Sequence, residues 1–143
     1  MKGIYSLIFD CKGKIEVGSL GEKRFEGTYC YIGSARGSGG IKSRLGRHID
    51  LYKKKRDVRH WHIDYVLPNS QLIGYCFGQT EKDKECCLRR SISYDMTIKG
   101  FGSSDCNCSS HLLKINYFKK EKIIKGFRKC EINPKFERIK DDE

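Results

Sequence analysis

The hydrophobic period of this chain changes once, at Ile41, and that change constrains the fold more than any other feature. Before it, apolar residues come in short β-branched and aromatic runs, residues 3–9 and 28–33. They are separated by the turn-like string Cys11-Lys12-Gly13-Lys14 and a polar stretch through Gly21 and Glu22. Runs of this kind read as strands, so the first segment predicts a hairpin that turns at residues 11–14. A further strand should end in the Gly- and Ser-rich residues 34–40. From Ile41 onward the spacing becomes helical: Ile41, Leu45, Ile49 and Tyr52 form one stripe, with Ser38 placed to cap it.

The same reading continues down the chain. A short helix is expected over residues 62–67, stopped by Pro68, and a strand over 71–77. Thr80 and Asp83 have capping-box spacing before a helix on which Glu85, Leu88 and Ile92 share a face. Residues 100–108 read as a loop and 111–118 as a last strand. The charged tail from Lys119 is expected to fray from about residue 130. At 143 residues the chain is the size of one domain. The expectation is a single α/β (α+β) domain over 1–143, with a small central mixed or antiparallel sheet flanked by helices.

Composition narrows the partners. The longest apolar runs span a handful of residues, against the roughly 20 that a spanning helix needs, so no membrane partner is expected. The first residues, Met1-Lys2-Gly3-Ile4-Tyr5, lack the apolar stretch of a signal peptide, and the expected location is cytoplasmic. Lys and Arg number 29 against 18 Asp and Glu, a formal +11, which points to a polyanion, DNA or RNA. From Arg36 to His62 there are nine basic residues and two acidic ones. The candidate DNA contacts there are Arg36, Lys42, Arg47, Lys53, Lys54, Lys55, Arg56 and Arg59; the run 53–56 taken alone would equally suit a solvated surface. Eight cysteines without an export signal argue for thiols, metal ligands or catalytic groups rather than a disulfide framework.

Gly3-Ile4-Tyr5 on the first strand and Tyr31-Ile32-Gly33 on a later one resemble the two tripeptides that name the GIY-YIG nuclease superfamily. Arg44 and His48 then fall on the following helix with the Arg-x3-His spacing of that superfamily, and Glu85 opens a later helix, where the family places its metal-binding carboxylate. Arg59-His60-Trp61-His62-Ile63-Asp64-Tyr65, Gly100 to Cys106 and Ser110-His111-Leu112 are similar to a microbial branch of it. That branch is known as a domain of uncharacterised function, sometimes attached to an endonuclease III-type DNA-repair glycosylase. Two departures stand out. The two tripeptides lie further apart than in compact members, and the family's Asn beyond the metal Glu has no counterpart between Glu85 and Asn107. Ser103, Asp105 or Asn107 would have to substitute for it, or activity would be weakened.

The resemblance implies a Mg²⁺- or Mn²⁺-dependent endonuclease that hydrolyses phosphodiester bonds in DNA, in repair or processing. Tyr5 would be the base and Tyr31 its partner in placing water. Arg44 would grip the phosphate, His48 would hold phosphate or relay a proton, and Glu85 would hold the metal. The residue types suit the chemistry: phosphodiester hydrolysis needs an activated water, a counter-charge for the transition state and help for the leaving oxygen. A tyrosine with a pKa near 10 is a poor base unless nearby cations lower it, which Arg44, the metal and the surrounding positive charge should do.

Two rival readings belong to other classes. One is a catalytically silent nucleic-acid-binding module on the same scaffold. The other is a zinc-stabilised interaction domain built on Asp105, Cys106, Cys108 and His111, with Cys86 as a fourth ligand, although the spacing departs from the usual zinc knuckle. Trp61 reads as a core residue rather than a base-stacking platform.

Overall fold

The structure is a computed structural model and describes residues 1–37, 39–55, 57–101, 110–115 and 118–139. Among these residues six strands, β1 (Gly3–Glu16), β2 (Glu22–Ala35), β3 (Ser70–Gln79), β4 (Met96–Thr97), β5 (Leu112–Ile115) and β6 (Lys135–Arg138), form one sheet in the order β4-β5-β2-β1-β3-β6. Every pairing is antiparallel, so the fold is α+β. Among the described residues four helices cover the sheet: α1 (Gly40–Lys54), α2 (His62–Val66), α3 (Glu85–Ser91) and α4 (Lys120–Lys129).

Alternation along β1 builds two cores. Tyr5, Leu7 and Phe9 point to one face, where Ile41, Leu45 and Leu51 of α1 and Ile63 and Val66 of α2 cover them. Ile4 and Ile8 point to the other, against Leu88 of α3 and Ile123 and Phe127 of α4. A strand buried on both faces belongs at the sheet's centre, which is where β1 lies.

Several expectations are corrected. The hairpin does not turn at residues 11–14, because β1 keeps its partners on β2 through Glu16↔Glu22, which brings Phe25 and Tyr29 into the core. The turn forms instead at 18–20, between Gly18 and Gly21, both at positive φ (49° and 79°), a conformation glycine adopts without penalty. The residue before α1 is Gly39; Ser38, the expected cap, lies outside the described residues. Thr80 and Asp83 form no reciprocal box before α3: Thr80 Oγ1 accepts from Lys82 N, and Asp83 Oδ1 from Glu85 N at 3.3 Å. Of the tail expected to fray, residues 135–138 pair with β3 as β6, while 140–143 lie outside the described residues.

Cys87 of α3 and Cys130 after α4 form a disulfide, with Cα atoms 6.1 Å apart, where the sequence predicts thiols, metal ligands or catalytic groups rather than a disulfide framework. Close packing of the two helices puts the pair within bridging distance. That packing depends on Gly126, where a Cβ would come within 2.7 Å of Ile92. Cys11, Cys30 and Cys76 are free and buried, small apolar residues of the two cores.

Candidate active site

The two tripeptides are one structural feature. On adjacent central strands Tyr5 is paired with Gly33, and Gly3 with Ala35. A Cβ at Gly33 would be driven into the Tyr5 ring, and one at Gly3 into Ile41 and the Gly78 carbonyl. The glycines thus let the Tyr5 ring and the first turn of α1 close onto the sheet. Tyr31, two residues before Gly33 on the same strand, faces the same core.

Helix α1 brings His48 onto Tyr5, whose Oη lies 2.7 Å from His48 Nε2. The rings sit with centroids 5.4 Å apart, and Tyr31 stands edge-on to His48 at 6.4 Å. One turn earlier Arg44 donates Nη1 to the Ser34 carbonyl at 3.1 Å and hydrogen-bonds the Tyr5 phenol. Tyr5, Tyr31 and His48 are 1%, 7% and 0% exposed, and this burial decides their protonation. It raises the Tyr5 phenol well above its ordinary value although Arg44 pulls it down; Glu85 and Asp64 push it further up. Tyr31 is raised by burial too, and by Tyr5 and Glu85. Arg44 does push the Tyr5 phenol down, as expected, but desolvation of the phenolate outweighs that one guanidinium and the net shift is upward. His48 is lowered to about 3, first by burial, so it is a neutral imidazole at neutral pH.

Glu85 opens α3 and is 21% exposed on its side chain. Its charge is felt by both Tyr5 and Tyr31, which places it at the same end of the sheet. Its Oε2 lies 3.0 Å from Nδ1 of the buried His111. His111 is itself fixed by its backbone, with N donating to the Phe101 carbonyl and O accepting from Ile32 N, both at 2.9 Å. Of the residues expected to build a zinc site, only His111 and Cys86 lie among the described residues. Asp105, Cys106 and Cys108 lie outside the described residues, and Cys86 is disulfide-bonded rather than a thiolate. Among the described residues no group of three or more His, Cys, Asp or Glu side chains could hold a metal. A single carboxylate with open coordination fits Mg²⁺ or Mn²⁺, which keep several waters, rather than an all-protein cage.

The basic residues divide into two sets. Arg36, Lys42, Lys53, Lys54 and Lys55 are exposed and Arg59 half-buried; Arg36 reaches Asp83 at 3.8 Å and Lys54 reaches Asp50 at 3.1 Å. Arg56 lies outside the described residues. Arg47 differs from all of these, being in a bidentate pair with the buried Asp64, both bonds 2.9 Å. Trp61 is exposed at 36% rather than core, and both Arg44 and Arg47 lie against its ring.

Sequence reasoning missed Asp64 and the Glu85–His111 contact. Asp64 had a signal, an acid three residues past the Trp61 that precedes α2, reaching back to the Trp61 N–H at 3.0 Å as the acidic half of a capping box does. The Glu85–His111 contact had none, since the two lie 26 positions apart in the chain.

No helix among the described residues is long and apolar enough to cross a membrane. Comparison with curated proteins finds no match, and comparison with solved structures finds none either. One family model does match, described as a Domain of unknown function, DUF123, and it covers residues 4–132. With nearly its whole length matched, the chain belongs to that domain family.

Proposed function

We propose that this domain is a metal-dependent endonuclease of the GIY-YIG type that hydrolyses phosphodiester bonds in DNA, in a repair or processing role. The observation that carries the reading is the convergence of Tyr5, Tyr31, Arg44, His48 and Glu85, from four separate segments, at one end of the sheet. Among them Arg44 stands out, because no ion pair engages it among the described residues. A half-buried guanidinium with no carboxylate partner is suited to an anionic oxygen.

Glu85 would hold the divalent cation, which supplies counter-charge to the scissile phosphate and its leaving oxygen. The chain's own residues do the rest. Arg44 grips the non-bridging oxygens. Tyr31, kept a neutral phenol, positions the water by hydrogen bonding. Tyr5 is also neutral at rest, so it cannot act as a standing phenolate. Its hydroxyl takes the proton of the attacking water while its own hydrogen passes to His48 Nε2 over 2.7 Å. Burial keeps His48 neutral and so leaves that nitrogen able to accept. Negative charge growing on the phosphate then favours the imidazolium that forms.

One observation favours the catalytically silent nucleic-acid-binding module instead: Tyr5, Tyr31 and His48 are almost closed to solvent. Nicking of supercoiled plasmid and of a branched duplex with Mg²⁺ or Mn²⁺, by wild type and Glu85→Ala side by side, separates the two. The endonuclease cleaves as wild type only. The module cleaves in neither form yet binds duplex with an affinity that falls steeply with salt and survives Glu85→Ala.

A further inference from the structure

Catalysis as proposed uses Arg44 but leaves open what holds that side chain in place. Asp64 of α2 is 0% exposed, and a carboxylate shut off from water persists only when paired and saturated with hydrogen bonds. Arg47 Nη1 donates to its Oδ1 and Nη2 to its Oδ2, both at 2.9 Å. The backbone N–H groups of His60 and Trp61 donate to Oδ2 at 2.7 and 3.0 Å. One carboxylate thus fixes both the fork of Arg47 and the turn that carries Trp61.

Trp61 passes the constraint on. The guanidinium carbons of Arg47 and Arg44 lie 4.3 and 4.4 Å from its ring centroid, within cation–π range. Two cations against one ring repel each other unless one is neutralised, and Asp64 neutralises Arg47. Arg44 keeps its charge, its hydrogen-bond partners being the Ser34 carbonyl and the Tyr5 phenol.

We propose that Asp64 and Trp61 are positioning residues for Arg44, with Arg47 the brace between them rather than a phosphate contact. Their role in cleavage rests on the endonuclease reading; the placement of Arg44 against Trp61 does not. A side chain as long as arginine loses several rotors when fixed, and a platform that fixes it in advance removes that cost from the reaction step.

The test uses the full chain, a branched DNA duplex with Mn²⁺, and the fact that Trp61 is the one tryptophan. Single-turnover cleavage should fall about 100-fold in Asp64→Asn and Trp61→Leu, with duplex affinity within about threefold of wild type, while Trp61→Phe keeps a π face and stays within about fivefold. A purely structural role would move affinity and rate together and would not distinguish Phe from Leu. Trp61 emission should shift in Asp64→Asn in the same direction as in Arg44→Gln. Wild-type cleavage rates in folded Asp64→Asn or in Trp61→Leu would overturn the proposal. If Asp64→Asn does not fold, the Phe and Leu pair decides. If wild type cleaves nothing, the endonuclease reading falls by itself, and positioning then stands or falls on whether the emission of Asp64→Asn follows that of Arg44→Gln.

Discussion

Tyr5 and Gly33 are cross-strand partners, and the Tyr5 ring occupies the space that a side chain at position 33 would need. The phenol reaches His48 because that space is empty. Gly33→Ala should therefore push the ring off its 2.7 Å contact with His48. The expected cost is about 1–3 kcal/mol of stability, as for other overpacked core positions, with loss of most cleavage. Urea denaturation and plasmid nicking check both; an alanine variant as stable and active as wild type would show that Tyr5 has room to move.

The protonation of His48 gives a pH signature. Its folded pKa is lowered to about 3, below the ordinary value near 6.5. Between those values the unfolded chain binds a proton at this site that the folded chain does not, so stability rises with pH there. The single-site slope approaches about 1.4 kcal/mol per pH unit. It vanishes above the unfolded value, where both states are neutral. Asp64 has a lowered pKa, burial being outweighed by Arg47 and two backbone donors, and its contribution is lost only as pH falls below the ordinary carboxylate range. Denaturation from about pH 5 to 6.5 reads His48 together with the half-buried His62, whose pKa burial also lowers, and His48→Gln should remove His48's share of the slope in that window.

Those two sites differ in how far the sequence reveals them. The run of residues 3–9 and the stripe Ile41, Leu45, Ile49, Tyr52 carry strand and helix periods outright, so β1, β2 and α1 are legible, and with them the meeting of Tyr5, Arg44 and His48. The position of the hairpin turn is not. Lys12-Gly13-Lys14 has turn composition, but Val17 and Phe25, both fully buried, hold the strands together past it, a tertiary preference that overrides a local one. Strand β6 is hidden for a related reason. Residues 135–138 are mostly charged, as suits an exposed sheet edge, and a charged segment of that length looks like a tail. The net protonation of Tyr5 is not legible either, because charge is visible in a sequence and desolvation is not.

His111 supplies a third expectation. Its Nδ1 at 3.0 Å from Glu85 Oε2, on a backbone clamped to Phe101 and Ile32, orients the carboxylate that would hold the cation. Partners of metal ligands typically contribute 10–100-fold to affinity or activity. His111→Ala should raise the Mn²⁺ concentration for half-maximal cleavage by about tenfold while leaving duplex binding in the absence of metal unchanged. An unchanged metal requirement would reduce His111 to a packing residue.

Glu85 is also held through the disulfide two residues along its helix. Helix α3 has seven residues, too few to be stable by itself, and its anchors include the buried Leu88, the disulfide of Cys86 and the Cys87–Cys130 bond to the end of α4. The bond closes a loop with a sequence separation of 43, for which loop-closure entropy lost from the unfolded chain corresponds to about 4 kcal/mol at most, and 2–4 kcal/mol is typical. Cys130→Ser should therefore lower unfolding free energy by about 2–4 kcal/mol. Because the lost constraint lies beside Glu85 and far along the chain from Tyr5, metal affinity should weaken before duplex affinity does. Thermal melts of wild type and Cys130→Ser, paired with Mn²⁺ titrations of cleavage, read the two effects separately. A Cys130→Ser protein that melts earlier yet keeps its metal requirement would mean that Leu88 and the Cys86 disulfide hold the start of α3 in place.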